Sequence, residues 1–281
     1  LLSQGLKPRF AIAWLLGRAL LRAQSFSQVE NFSVELVIED AKFFKQCIDA
    51  IVNLVDEGSF QVTSHGIHLR TMDPSQIAMI DFTLPKEAFK KIDADHEQTI
   101  AVNLVDLSKI LARVRTDDKL NISLEEKDNK LELEFSGASK RHFKLPLLDL
   151  NTPLPREPKI QFDSTIKIEG SSFKEMLKDA GLLSSHVVLQ ADDSELVVEA
   201  HGDSGDLRIE TKKDGGKISE MKVHGKSRAM YPFEYLDDMT RACQDGEHIE
   251  VSLKTDAPVR IAYNVGLAKL AYYLAPRVET A

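Results

Sequence analysis

Cysteine is scarce in this chain. Its 281 residues hold two, Cys47 and Cys243, and each falls on the apolar stripe of a helical pattern. That spacing gives no disulfide framework and no paired-cysteine metal motif, so both read as small buried hydrophobes. Basic charge is short as well: 36 Lys and Arg stand against 44 Asp and Glu, for a net of −8. Any contact with nucleic acid therefore has to rest on a local arrangement of bases, not on bulk charge. The apolar run from Phe10 to Leu16 is far below the roughly 20 residues of a membrane span, and Arg18 and Arg22 interrupt any extension of it. A Walker loop and a GxSxG elbow are both missing. His65, His68 and Asp73 lie on or beside one strand pattern, where residues three apart point to opposite faces, which argues against shared ligation. Asp93, Asp95 and His96 read as a solvated polar loop. No catalytic constellation, metal site or cofactor site emerges.

What the sequence does have is itself, twice. A stretch from about Val34 to Pro146 and another from about Ile160 to Pro276 carry the same elements in the same order, offset by about 130 residues. Phe43 in one helical pattern answers Phe173 in another. The pattern at 103–114 reappears at 231–243. Leu120, Ile122 and Leu124 match Ile249, Val251 and Leu253. Solenoid repeats have periods of roughly 20 to 50 residues, so this is a duplicated domain. Two like domains point to pseudo-symmetric assembly and away from one asymmetric active site.

Each copy reads as α+β. Val34, Leu36 and Ile38 alternate with Glu35, Val37 and Glu39 as a half-buried strand. Asp40 is the predicted N-cap of a helix whose stripe is Phe43, Phe44, Cys47, Ile48, Ile51 and Val55, with Gly58 as its left-handed stop. Segments 59–64, 66–72 and 77–85 read as strands set off by turns at His65-Gly66 and Asp73 to Ser75, and a hairpin closes at Asp128-Asn129. Gly202 to Gly205 and Asp214 to Gly216 read as turns. The expected division is an extension at 1–32, domain one at 33–145, a connector at 146–159 and domain two at 160–281. Pro146, Pro153, Pro155 and Pro158 keep the connector extended, and its leucines predict that it lies across a sheet. The extension carries four basic residues and one acid, Glu30, and the first Met is Met72. It is read as non-native or disordered, translated ahead of a start near Val29.

From Val34 onward the chain resembles the archaeal and eukaryotic DNA sliding clamps, the proliferating cell nuclear antigen (PCNA) family. The resemblance rests on HGIHLRTMDPSQIAMIDFTL (65–84), VNLVDLSKIL (102–111), LPLLDL (145–150) and LAYYLAPRV (270–278). It implies an α+β fold of two similar domains per chain, three chains closing head to tail into a ring, with helices lining the hole and sheets outside. It implies a processivity factor, not an enzyme. The implied partners are double-stranded DNA held without regard to sequence, DNA polymerase, the clamp loader, flap endonuclease and DNA ligase, in an archaeal-type cytoplasm beside the nucleoid. A subunit of an obligate heterotrimeric or checkpoint-type clamp is the alternative, and a duplicated metal-dependent enzyme a distant third.

The resemblance also assigns residues. Channel bases would be Lys42, Lys45, Lys109, Arg113, Lys178 and Arg241, with Lys109 and Arg113 four apart on one helical face. A pocket for partner peptides would use Met72, Met79, Leu154, Pro258, Tyr273, Ala275 and Pro276. The subunit interface would pair an edge bearing Lys140, Arg141 and Lys144 with one bearing Asp206 and Glu210.

Overall fold

Alternation decides the first element: Val34, Leu36 and Ile38 are buried, while Glu35 and Val37 between them are half-exposed. The computed structural model describes residues 32–94, 96–125, 129–150 and 154–277. The extension, Asp95, Asp128 and Pro153 fall outside these residues. Strand β1 (Phe32–Ile38) leads into α1 (Ala41–Val52). The Asp40 carboxylate accepts from the backbone N–H of Lys42 at 2.9 Å and of Phe43 at 3.3 Å, which satisfies two orphan donors of the first turn. There follow β2 (Glu57–Thr63), β3 (Gly66–Met72), β4 (Ala78–Pro85), β5 (Lys91–Ala94) and β6 (Gln98–Asn103). Then come α2 (Leu104–Leu111), β7 (Lys119–Glu125), β8 (Lys130–Ser136) and β9 (Lys140–Pro146).

The second half repeats this order. It runs β10 (Ser164–Glu169), α3 (Gly170–Gly181), β11 (His186–Ala191), β12 (Glu195–Gly202), β13 (Gly205–Lys212) and β14 (Ile218–Val223). It ends with β15 (Ser227–Pro232), α4 (Phe233–Arg241), β16 (His248–Leu253), β17 (Val259–Val265) and β18 (Ala268–Leu274). Strands β1 to β9 thus have counterparts β10 to β18, and α1 and α2 have counterparts α3 and α4. Helix α1 packs on α2, and α3 on α4, each burying its apolar stripe.

Three antiparallel sheets result. One runs β5-β1-β7-β8-β9, one runs β13-β12-β11-β15, and a nine-stranded sheet runs β14-β10-β16-β17-β18-β4-β3-β2-β6. The long sheet is a five-strand unit of the second half joined to a four-strand unit of the first, through the pair β18·β4. The other five-strand and four-strand units end in β9 and β13. These two edge strands are the counterparts of β18 and β4.

Side chains also bridge the joint between the halves. The Tyr272 hydroxyl donates to the Ala50 carbonyl of α1 at 3.0 Å, and Tyr235 of α4 donates to the Asp73 carboxylate at 2.9 Å. The Gln244 amide meets that of Gln46 at 3.1 Å. Phe43 lies against Gly266, whose φ of +54° favours glycine and where an added Cβ would come within 2.7 Å of the Phe43 ring.

Several local expectations need correction. Helix α1 stops at Val52, capped by Asn53, and Gly58 sits inside β2. A Cβ there would meet Leu69 Cδ1 at 2.7 Å and Leu104 Cδ1 at 3.2 Å, so Gly58 serves close approach of strand and helix, not a turn. The buried counterpart of Phe173 is Phe44, not Phe43, because both occupy the fourth position of their helices; Phe43 turns to the joint instead. Asp93 belongs to β5, opposite Glu35, and is no loop residue. Gly66, Gly205 and Gly216 do take positive φ in the turns expected of them.

Candidate nucleic-acid interface and docking site

Five of the six expected channel bases lie on helices, on faces turned away from the core. Lys42 and Lys45 stand on α1, Lys109 on α2, Lys178 on α3 and Arg241 on α4. Arg113 departs from the expected arrangement. Helix α2 ends at Leu111 with Ala112 as its cap, so Arg113 occupies the turn beyond and shares no helical face with Lys109. Most of these cations already have a carboxylate beside them. Lys45 pairs with Asp49; Lys109 meets Asp106 and Lys178 meets Glu175, both at 2.9 Å; Arg241 meets Asp237 and Asp238 at 2.7 Å. The Lys42 ammonium donates to Thr116 Oγ1 at 3.1 Å. Arg113 is exposed, and its guanidinium has no ion-pair partner among the described residues. Pairs three or four apart on an exposed helix are weak and salt-sensitive, so they are readily exchanged for phosphate contacts.

The expected interface residues sit on the two free edges. On β9, Lys140 reaches Glu134 at 3.0 Å and Lys144 reaches Glu132 at 3.5 Å. On β13, Asp206 meets His201 at 2.8 Å and Glu210 meets Arg208 at 2.7 Å. Arg141 has a different position: it is tied down within its own chain. Its guanidinium pairs with Asp118, which is 3% exposed, donates to the Arg113 carbonyl at 2.7 Å and lies 5.2 Å above the Phe135 ring. Asp118 in turn accepts from the Arg115 N–H at 2.6 Å, and its carbonyl accepts from Ala41 N at the start of α1. Arg141 therefore fixes the turn that carries Arg113.

Of the expected docking residues, Met72, Met79 and Tyr273 share one face of the nine-stranded sheet. Register sets Met72 opposite Met79, Met79 opposite Tyr273 and Tyr273 opposite Arg260, a continuous row across four strands. Ile80 and Tyr272, one position along, point the other way into the core. Pro258 and Ala275 flank the Val259–Leu274 pair at the adjoining strand ends, with Pro276 next. Met72 and Leu154 are each 37% exposed, two of only four large apolar side chains so exposed among the described residues. Met79 and Tyr273, at 3% and 5%, are covered.

Part of what covers Tyr273 was not foreseen. Its hydroxyl donates to Glu157 Oε1 at 2.7 Å, and Glu157 Oε2 lies 3.5 Å from Arg70 of β3. Glu157 of the expected connector is therefore held on the sheet by its carboxylate. Burial first, and then the Glu157 carboxylate, push the Tyr273 phenol up to about 12, so it remains a neutral donor. Arg70 also pairs with Asp81, and His68 Nε2 lies 3.1 Å from Asp81 Oδ1. Burial works against ionised Asp81, yet the hydrogen bonds from His68 and Arg70 outweigh it and hold the carboxyl below its usual range. His68 is thus engaged with Asp81 and Gln61, while Asp73 accepts from the N–H groups of its own turn. No helix among the described residues is long and apolar enough to cross a membrane.

With this geometry, the chain matches the family model of the proliferating cell nuclear antigen N-terminal domain over residues 33–152 and that of its C-terminal domain over 156–278. A DNA polymerase sliding clamp of Methanococcus maripaludis (strain C7) is 33% identical over 241 residues, covering 84% of this chain and 96% of the relative. One from Pyrococcus horikoshii is 32% identical over 246 residues, covering 87% and 98%. The crystal structure of PCNA from Thermococcus kodakaraensis superposes with a TM-score of 0.82 at 28% identity, over 87% of this chain and all of that one. A structure of the C-terminal region of FEN-1 bound to A. fulgidus PCNA gives 0.80 at 26% identity, over 88% of this chain.

Proposed function

The chain belongs to the proliferating cell nuclear antigen family, and from that premise we propose that it is a sliding clamp: three copies close head to tail into a ring that encircles duplex DNA and docks replication enzymes on its outer sheets. The work is mechanical, not catalytic. DNA polymerase, the clamp loader, DNA ligase and a flap endonuclease are the partners this reading assigns, the last supported by the FEN-1 complex of the A. fulgidus relative.

One observation carries the ring. Within the chain, β18 pairs with β4; their counterparts β9 and β13 are unpaired edges of two separate sheets. Unpaired edges leave a row of backbone donors and acceptors open, and a copy of the internal joint between chains would satisfy them. Transferring the internal register gives the seam. Lys269 opposite Thr83 becomes Lys140 opposite Glu210 of the next chain; Tyr272 opposite Ile80 becomes Phe143 opposite Leu207; Tyr273 opposite Met79 becomes Lys144 opposite Asp206. The internal Gln46–Gln244 contact becomes Glu175 facing Arg115 by the same transfer. Each of these charged pairs is complementary within one sequence, which favours a ring of identical chains over an obligate heteromer.

The helices α1 to α4 would then line the hole. Their exposed bases and that of Arg113 make contacts to phosphate that carry no sequence information, as a clamp that slides requires. Intervening acids keep the attraction weak. Native mass measurement of the full chain at low salt tests the assembly: a mass three times that of the chain is expected, and monomer alone at micromolar concentration would rule the ring out.

A further inference from the structure

Beside the docking row lies a cleft that the family reading leaves without a role. It has a volume of about 520 Å³ and opens on the outer face of the nine-stranded sheet. Its floor is a pair of alanines, Ala262 opposite Ala271, between the Arg260–Glu250 ion pair on one side and the Asp81–Arg70 pair on the other. The duplication supplies an internal control. The corresponding cross-strand pair in the first half is Glu134 opposite His142, two polar side chains in contact with each other, so the alanines are a local departure and not a requirement of the fold.

The far wall is the row Asn264, Lys269, Thr83 and His68, set by consecutive register pairs. It contains no carboxylate. Lys269 is exposed and makes no ion pair among the described residues, with a neutral amide and a hydroxyl as its direct neighbours. The carboxylates nearest the floor are occupied: Asp81 with Arg70 and His68, Glu250 with Arg260, Glu157 with Tyr273 and Arg70. Glu247, which among the described residues is the one lining carboxylate without an ion-pair partner, lies before the start of β16, two strands from Lys269.

We propose that this cleft receives an acidic side chain, Asp or Glu, of the segment docked on the Met72–Met79–Tyr273 row, with Lys269 as its counter-ion. The inference rests on the docking role given above. Geometry sets the spacing. The Lys269 row lies four residues along β18 from Tyr273 and the alanine row two, and strands advance about 3.4 Å per residue. An extended peptide advances at nearly the same rate, so an acid two positions from an anchor stands over the alanines, within reach of the Lys269 ammonium. The donor set ranks the alternatives: an amide would gain hydrogen bonds without the charge, and a lysine would meet an unpaired like charge.

Calorimetric titration with synthetic peptides tests this. The peptides share one aliphatic and two aromatic anchors and carry Glu, Gln or Lys two positions from the anchors, on either side. At low salt the better-placed Glu peptide is expected to bind the wild-type protein about fivefold more tightly than its Gln twin, the scale of one solvent-accessible ion pair. In Lys269→Gln the two should bind alike, with the Gln peptide keeping its wild-type affinity, which shows the pocket intact. Equal binding of Glu and Gln peptides to the wild-type protein, or a preference that survives Lys269→Gln, overturns the cleft assignment and leaves docking standing. If no anchored peptide binds, docking on this row fails, and this inference with it.

Discussion

Reversing two charges on β9, Lys140→Glu together with Lys144→Glu, is expected to convert trimers into monomers at micromolar concentration. The transferred register sets these residues directly across the seam from Glu210 and Asp206, so each attraction becomes a repulsion. Cross-strand charge pairs contribute roughly 0.2–1 kcal/mol each, and like charges cost a similar amount. A ring has three seams, and every seam bears both changes. The folded chain should hardly notice, since both side chains are solvent-exposed and their intrachain partners, Glu134 and Glu132, form only surface pairs. Adding Asp206→Lys and Glu210→Lys in the same chain restores complementarity and should restore the trimer. Sedimentation at low and high salt reads the result; a double variant that remains trimeric, or a quadruple variant no more associated than the double, would refute the register. Arg141 is unsuited to this test. Removing one partner of a buried pair typically costs about 3–5 kcal/mol, so its reversal would strip Asp118 of its partner and unsettle the turn at Arg113 before any seam was probed.

Tyr273→Ala is expected to lower the affinity for an anchored peptide by well over tenfold. The ring of Tyr273 forms the centre of the outward row between Met79 and Arg260, and central aromatic contacts commonly cost about 2 kcal/mol or more when truncated. A factor of ten corresponds to about 1.4 kcal/mol. Truncation also releases Glu157, so the connector loses one of its hydrogen bonds to the sheet. Tyr273→Phe separates the two effects. It keeps the aromatic wall and removes only the hydroxyl bond, so peptide affinity should stay within a few-fold of wild type. Calorimetry on both variants, with native mass as the control for assembly, decides the matter. Equal peptide binding by Tyr273→Ala and wild type, with the assembly unchanged, would show that the docking row has been placed on the wrong residues.

Much of this was legible in the sequence, for reasons that can be stated residue by residue. Strand β3 is bracketed by His65-Gly66 and Asp73-Pro74, and its predicted limits coincide with the observed Gly66–Met72. Asp40 announced its helix because a carboxylate before an apolar stripe has a local task, and local tasks leave local signals. The misreadings share the opposite cause. Gly58 follows a helical stripe and resembles a stop, yet its missing side chain answers Leu69 and Leu104, distant in sequence. Strand β5 alternates charged and apolar residues over only four positions on a sheet edge, too short a run to separate it from a loop. Phe43 and Phe44 are adjacent, and only packing decides which one answers Phe173. The Glu157 contact is beyond any pattern: of the connector's two acids, Asp149 and Glu157, it is Glu157 that finds Tyr273 through the fold. The duplication was visible as an offset; that it leaves β9 and β13 as matching free edges required the topology.

Encirclement of duplex DNA is tested most directly by retention on closed circles. The protein would be loaded by a cognate clamp loader with ATP onto a nicked circular plasmid, then passed through gel filtration at a salt concentration that strips ordinary phosphate contacts. A ring held topologically stays with the circle and is lost when a single restriction cut linearises it, because it slides off the ends. Release from the circle at that salt, or equal retention on circular and linear DNA, would contradict a sliding ring.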